Sequence, residues 1–119
     1  MQGIWQVTKL IDPTGYDVPA DQLKGTFEFK GDSLIMSGEM GDKKMRYTLD
    51  PLKQPKWMDW IDVNELGETG VMQGIFKLDG DELTICVKIV KDEATPRPAV
   101  FQAIRMKYSL FVMRRVKKN

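Results

Sequence analysis

Short segments in which apolar and polar residues alternate recur along the whole chain, and residues that form turns separate them. Thr26–Lys30 places Phe27 and Phe29 on one face, and a hairpin signal at Gly31 follows it directly. The same arrangement recurs around Gly80. An alternation with a period of two is typical of half-buried strands, and no long segment carries the 3.6-residue period of a helix. The chain is therefore predicted to be all-β.

Eight strands are predicted, and a short helical turn is predicted after the first, with Pro19 near its start and Gly25 at its end. The strands cover residues 4–11, 26–30, 34–36, 45–49, 56–63, 71–78, 83–87 and 108–116. Short connections favour an antiparallel meander, and eight strands are enough to close into a barrel without exposed edges. A two-sheet sandwich would use the same pattern, but the order of hairpins favours the barrel. We therefore predict one domain over residues 1–119, a single eight-stranded antiparallel barrel.

The composition excludes several kinds of chemistry. The 119 residues contain no histidine, so Ser-His-Asp and Cys-His pairs and histidine-ligated metal sites are ruled out. Cys86 is the only cysteine, so no intrachain disulfide can form. The net charge of +1, from 18 basic and 17 acidic residues, argues against a large electrostatic surface for nucleic acid. We expect no cofactor, no metal and no nucleic-acid partner.

The sequence leaves the compartment open. No apolar run reaches the roughly 18 residues that a membrane span needs, so no span is predicted. Met1 leads straight into the first strand. A cytoplasmic location is expected if Met1 is the native start, and an extracytoplasmic one if a leader was removed.

A series of short motifs runs in one order over nearly the whole chain and resembles a known family. The motifs are Gln2-Gly3-Ile4-Trp5-Gln6-Val7, Val18-Pro19-Ala20, Leu23-Lys24-Gly25, Leu49-Asp50-Pro51, Pro55-Lys56, Met58-Asp59, Gly74-Ile75-Phe76, Leu78-Asp79-Gly80-Asp81-Glu82-Leu83, Ile85-Cys86, Arg97-Pro98 and Arg115-Val116-Lys117. They resemble an uncharacterised lipocalin-like domain family, found mainly in planctomycete-type bacterial proteins. The resemblance implies a lipocalin-like β-barrel and no particular activity. The chain departs from the family by carrying Trp57 and Trp60 in strand five and Phe76 in place of a tyrosine, and both changes are expected to make the interior drier and fuller.

The resemblance also implies how one end of the barrel is closed. In such barrels the first-strand tryptophan, here Trp5 after Gly3, plugs the end, and an arginine from the last strand lies across its ring. We expect that arginine to be Arg115, with Arg114 as the alternative, because the strand register decides which one points inward. The role predicted for Gly3, Trp5 and Arg115 is structural.

The alternation also predicts which side chains fill the barrel. The inward set is Trp5, Val7, Phe27, Phe29, Leu34, Met36, Tyr47, Leu49, Met58, Trp60, Met72, Phe76, Leu83, Ile85 and Val87. Such a barrel holds either side chains or one small ligand. The candidates for contact with a small apolar ligand are Phe27, Phe29, Met36, Tyr47, Met58, Trp60, Met72 and Phe76. Tyr47 and Trp60 carry the interior polar groups. A ligand carboxylate or carbonyl could be the hydrogen-bond partner of either group, but a backbone carbonyl is the expected one.

Other side chains invite functional interpretations that their positions disfavour. Asp59 and Asp62 lie along one strand, and the acids at 79–82 lie in one turn, so neither set is arranged as a catalytic pair. Cys86 should alternate away from the interior and has no base beside it. The basic residues within 105–107 and 114–118 could contact phosphate or anionic lipid, but a solvated, solubilising role is the expected one.

Two hypotheses about function remain, and neither is an enzyme. The first is a non-enzymatic lipocalin-like barrel that takes a small apolar ligand at the end opposite Trp5. The second is a structural or protein-interaction module with a fully packed barrel, which would use its outer face or the loops at 51–56 and 91–98.

Overall fold

A computed structural model gives the fold and describes residues 1–12, 14–38, 41–63, 69–88 and 94–116. Within these residues there are eight strands and one short 3-10 turn, Ala20–Gln22. The strands are β1 Gly3–Ile11, β2 Thr26–Lys30, β3 Ser33–Gly38, β4 Gly41–Asp50, β5 Lys56–Val63, β6 Thr69–Asp79, β7 Glu82–Lys88 and β8 Tyr108–Arg115. The predicted loop at 91–93 and the basic tail at 117–119 lie outside the described residues.

The eight strands form a closed barrel in which each strand pairs antiparallel with its neighbours in sequence, and β8 pairs with β1. This arrangement confirms the predicted barrel and excludes the two-sheet sandwich. The start of β1, the end of β8 and the turns after β2, β4 and β6 lie at one end, which we call the Trp5 end. The connections after β1, β3, β5 and β7 lie at the other end, which we call the mouth.

A bulge in β1 changes which side chains face the interior. The register against β8 shifts between Val7 and Lys9, leaving Thr8 as the extra residue. Trp5 and Val7 are buried before the bulge, whereas Leu10 packs against the core after it, opposite Phe111. A bulge of one residue reverses the alternation beyond it, so the mouth end of β1 presents its even-numbered side chains inward.

Leu49 was predicted to be buried in the barrel, and this prediction is wrong because the residue is 40% exposed. Leu49 pairs with the inward-facing Met58, so its position lies on the inward face of β4, as the alternation predicts. However, β3 begins at Ser33, which pairs with Arg46, so Leu49 lies beyond the end of β3. At the rim of the Trp5 end it has a neighbouring strand on one side only.

At Gly74, the backbones of β5 and β7 both lie close to β6. A Cβ built on Gly74 would lie 2.8 Å from the Cys86 carbonyl oxygen and 3.2 Å from that of Met58. Its own carbonyl accepts a hydrogen bond from Arg97 Nη1 at 2.7 Å. Glycine therefore permits a tight bend of the barrel wall at a position where any side chain would strike backbone on both sides.

Residues 94–107, which we call the strap, cover part of the outer wall. Ile75, Cys86 and Leu110 lie side by side on the outer face of β6, β7 and β8, and Phe101 of the strap packs against them. Cys86 faces outward as predicted, but it is fully buried because the strap lies over it. An apolar outer face thus becomes a second, smaller core.

Polar contacts hold the strap in place at three points. Tyr108 Oη donates to the Pro96 carbonyl at 2.8 Å, and Cys86 Sγ donates to the Gln102 carbonyl at 3.5 Å. Arg97 Nη1 lies 2.6 Å from Asp59 Oδ1, and its guanidinium stacks 4.0 Å above the Trp57 ring.

Candidate functional site: the barrel interior and its mouth

The Trp5 end is closed by the first and last strands together. Trp5 is fully buried, its indole Nε1 donates to the Met1 carbonyl at 3.1 Å, and the Arg115 guanidinium lies 4.4 Å from its ring centre. Arg115, rather than Arg114, occupies this position because it pairs directly with Trp5 in the β1–β8 ladder. Arg115 Nη1 also donates to the Gln2 carbonyl at 2.8 Å.

Gly3 is required where the chain passes beneath that arginine. Its φ is +124°, a conformation that favours glycine, and a Cβ there would lie 3.2 Å from Arg115 Nη1. The Gln2 amide beside it donates to Tyr47 Oη at 2.8 Å, and Tyr47 Oη donates to the Gly31 carbonyl at 2.9 Å. This hydrogen-bonded group seals the Trp5 end, which leaves the mouth as the only end to consider for a ligand.

Three aromatic rings meet across the middle of the barrel. Phe27 lies 5.7 Å from Trp60 and 5.4 Å from Phe111, and Trp60 lies 5.7 Å from Phe111, measured between ring centres. The rings come from β2, β5 and β8, which are spaced almost evenly around the eight-stranded circle. We call this group the aromatic plug, because rings from three sides that touch one another close the lumen at that level.

The interior polar groups have partners within the protein. Tyr47 Oη is bonded to a backbone carbonyl and to Gln2, as described above. Trp60 Nε1 donates to Met58 Sδ at 3.1 Å. A thioether is a weak acceptor, so the indole N–H is the less strongly satisfied of the two. Neither group needs a ligand to complete its hydrogen bonds.

Beside the plug, toward the mouth, the inward register positions carry three partly buried apolar side chains. They also carry the Lys43–Asp62 ion pair, since Lys43 pairs with Met36 and Asp62 follows Trp60 by two residues on β5. Met36 pairs with Phe27 and Met72 pairs with Trp60. Leu10 pairs with Phe111 in the same way. Each ring of the plug therefore has one partly buried apolar neighbour on the adjoining strand. These three side chains form a rim of flexible apolar groups around an aromatic base.

The predicted candidates for ligand contact divide into two groups in the structure. Six belong to the buried core, namely Phe27, Phe29, Tyr47, Met58, Trp60 and Phe76. Met36 and Met72 are the two that keep some exposure. The sequence interpretation missed Leu10 and Phe111, although counting back in twos from Arg115 along β8 would have placed Phe111 inside. It was also wrong to count Trp57 as filling the interior, because Trp57 lies on the outer wall beneath Arg97.

The remaining reactive groups are engaged in structural contacts. Asp59 is paired with Arg97, and Asp62 Oδ2 lies 2.9 Å from Lys43 Nζ. Burial raises the pKa of the Cys86 thiol, which makes the nucleophilic thiolate less accessible. Among the described residues, no group of three or more histidine, cysteine, aspartate or glutamate side chains is placed to hold a metal ion.

Two open grooves lie beside the bulged part of β1, with volumes of about 510 and 420 Å³. Thr8, Ala20 and Leu23 line both. They are wide and shallow, so they offer a ligand far less enclosure than a concave binding pocket would.

Comparisons with known proteins do not assign the chain to a family, since no protein-family profile, curated protein or solved structure matches it. In the described part of the chain, no helix has the length and apolar character needed to cross a membrane.

Proposed function

We propose that this protein is a non-enzymatic, lipocalin-like barrel that binds a small apolar ligand at its mouth. The ligand would rest on the aromatic plug of Phe27, Trp60 and Phe111 and be held at its sides by Met36, Met72 and Leu10. The chain contains no histidine, and its only cysteine is covered by the strap, so a binding role is favoured over a catalytic one.

One observation carries this proposal: the pairing of each plug ring with a partly buried apolar side chain on the adjoining strand. A barrel that served only as a packed scaffold would gain stability from burying these side chains completely. Instead, two methionines and a leucine remain part-exposed around three aromatic rings. Methionine adapts its shape to different apolar surfaces, which suits a site for small molecules.

The level of the plug limits the size of the ligand. Because the three rings touch, a ligand can occupy only the part of the lumen above them. The N–H of Trp60 points to a weak sulfur acceptor, so a ligand with one acceptor oxygen could exchange that bond for a stronger one if the Trp60 ring turned. The expected ligand class is therefore a short alkyl or small aromatic molecule with at most one polar group.

A structural or protein-interaction module is the second candidate, and the plug itself favours it. Rings in contact at 5.4 to 5.7 Å leave no continuous channel through the barrel. In that case Met36 and Met72 would only cover the end of the core.

Tryptophan fluorescence distinguishes the two candidates. Trp57 lies on the outer wall, so the W57F variant leaves Trp60 as the reporter nearest the mouth. This variant would be titrated with decanoic acid, decanol and anilinonaphthalene sulfonate, and native mass spectrometry would test freshly purified protein for a bound small molecule. Saturable quenching at micromolar ligand, or a co-purified small molecule, is expected for the binding barrel.

Two neighbouring positions on β6 provide a matched pair of variants. Met72 faces inward toward Trp60, whereas Val71 faces outward and is exposed. A lysine at 72 places a charge on the wall of the site, so M72K should weaken binding at least tenfold. V71K should bind as the parent does. The packed module would be supported instead if added ligand left the fluorescence unchanged and native mass spectrometry showed no bound molecule. It would also be supported if M72K and V71K weakened binding equally.

A further inference from the structure

A tight turn at the mouth, just before β8, presents two apolar side chains to solvent, Ile104 at its base and Met106 at its tip. Lys107 N–H donates to the Ile104 carbonyl at 2.9 Å, and Ile104 forms an antiparallel bridge with Tyr108. Of the two central residues, only Met106 has a positive φ, at +66°. A hydrogen bond from the fourth residue of a turn to the first, with a positive φ at the third residue only, is the pattern of a type II turn. The third residue of such a turn is normally glycine or asparagine.

Methionine at this position is mostly exposed, so packing offsets little of the cost of its backbone conformation. A side chain with positive φ strains the backbone, and strain of this kind is concentrated at functional sites. Met106 is 62% exposed, so little packing within the protein repays the strain. Ile104, at the base of the turn, is also exposed. The turn thus displays apolar surface that folding does not require.

Cations flank the exposed methionine on both sides. Arg105 and Lys107 are both exposed, and within the described residues neither forms an ion pair. A Cβ built on Gly15 would lie 3.8 Å from Arg105 Cβ, so the loop that carries the exposed Tyr16 lies next to the turn. The neighbouring loop therefore adds one exposed aromatic side chain, Tyr16, to this surface.

The two acidic side chains of that neighbouring loop contact groups other than Arg105 and Lys107. The Thr14 hydroxyl donates to Asp12 Oδ1 at 2.5 Å, and this bond is the main cause that keeps the pKa of the Asp12 carboxyl below its usual value. The Thr14 and Tyr16 N–H groups donate to the same oxygen and lower the pKa further. Asp17 Oδ2 lies 4.0 Å from Lys9 Nζ. Among the described residues, these acids do not neutralise Arg105 and Lys107, so both cations are exposed and suited to contact an anionic surface.

From these observations we infer that the turn at 104–108 docks on an anionic lipid surface. Met106 enters the boundary between head groups and acyl chains, Arg105 and Lys107 contact lipid phosphates or carboxylates, and Tyr16 lies at the interface. An apolar tip between two cations fits such a surface because the apolar group and the charges are satisfied at different depths. This inference goes beyond the ligand-binding proposal and does not depend on it.

Sedimentation with vesicles tests the inference without any added ligand. The full chain would be mixed with vesicles of phosphatidylcholine, with or without phosphatidylserine. We expect binding only where phosphatidylserine is present, and we expect it to weaken as salt is raised. Each cation near such a surface strengthens partitioning about fivefold, so the R105Q/K107Q variant should bind about 25-fold more weakly.

M106N separates docking from stability, because asparagine suits the positive φ. It should unfold at the same temperature as the parent or higher, yet partition about tenfold more weakly. L52N is the matched control, since Leu52 is 89% exposed in the loop at the Trp5 end. Binding by L52N should equal that of the parent. Absence of vesicle binding, equal binding to neutral vesicles, or equal losses in M106N and L52N would overturn the inference.

Discussion

Replacing Gly74 by alanine should destabilise the barrel more than its small size suggests. The added Cβ would lie 2.8 Å from the Cys86 carbonyl oxygen, about 0.6 Å inside the distance at which ordinary contacts begin, and 3.2 Å from the Met58 carbonyl oxygen. Both obstacles are backbone, so no rotamer change can relieve them. β7 must move away from β6 where Gly74 pairs with Val87, and the Arg97 hydrogen bond to the Gly74 carbonyl is disturbed as well.

The size of the effect follows from these contacts. Overpacking a well-packed site costs about 1–3 kcal/mol, and a clash with backbone on two sides belongs in the upper half of that range. Alanine recovers about 0.4–1 kcal/mol by restricting the unfolded chain. The net loss in the free energy of unfolding should be about 2 kcal/mol. With an entropy of unfolding near 2.1 cal/mol/K per residue, this loss lowers the Tm by about 8 °C.

Gly70 supplies the control on the same strand. A Cβ there meets nothing within 4 Å, and its backbone does not have the positive φ that would disfavour alanine. G70A should therefore be neutral or more stable by up to about 1 kcal/mol. Urea unfolding and thermal melts of both variants measure the difference. If G74A and G70A unfolded within about 0.5 kcal/mol of each other, the close approach of the strands at Gly74 would be refuted.

Three further predictions concern the Trp5 end and the strap. R115Q removes the cation above the Trp5 ring and the hydrogen bond to the Gln2 carbonyl. Urea unfolding should therefore show a free energy of unfolding that is lower by about 1–3 kcal/mol. The control variant R114Q should change it by less than about 0.5 kcal/mol. If R115Q and R114Q lowered the free energy of unfolding equally, the placement of Arg115 over the Trp5 ring would be contradicted. D59N removes the carboxylate that pairs with Arg97, so the strap should open more often and a thiol reagent should label Cys86 about tenfold faster. An unchanged labelling rate would contradict the role of the Arg97–Asp59 ion pair in holding the strap. Burial raises the pKa of the Cys86 thiol in the folded state, so the stability it contributes is fully present below the unfolded pKa, near 9, and is lost as pH rises through the folded pKa. The free energy of unfolding should therefore fall more from pH 8 to pH 10 in the parent than in C86A, and parallel pH profiles would contradict this.

The barrel could be predicted from the sequence because its signals are local. Alternation and the turn residues near Gly31 and Gly80 fixed seven of the eight strands to within a few residues at each end. β4, predicted over 45–49, begins earlier, at Gly41. The choice of Arg115 over Arg114 depended on register, and the closing β1–β8 ladder places Arg115 opposite Trp5.

The features that prediction missed depend on contacts between distant segments. The bulge at Thr8 reverses the alternation of β1, and nothing in the local sequence announces it. Residues 91–98 were predicted to be a surface connection, and residues 99–104 were ambiguous between a strand and a helical turn. Phe101 could be assigned to an outer core only once Ile75 and Cys86 were known to face outward together. Leu49 was predicted to be buried, but β4 extends past the start of β3, so Leu49 lies at the exposed rim of the barrel. The relative lengths of these two strands could not be read from the sequence.

If a small apolar ligand binds at the mouth, above the aromatic plug, it must contact Met36 and Met72. Methyl NMR of protein labelled at the methionine methyl groups detects this contact, because Met36 and Met72 lie at the proposed site, whereas Met113 lies in the core and Met106 on the exposed turn. On titration with decanol, the Met36 and Met72 resonances should move together and saturate, while the Met113 and Met106 resonances move much less. Unchanged Met36 and Met72 resonances up to the solubility limit of decanol, or changes confined to Met106, would contradict binding at the mouth.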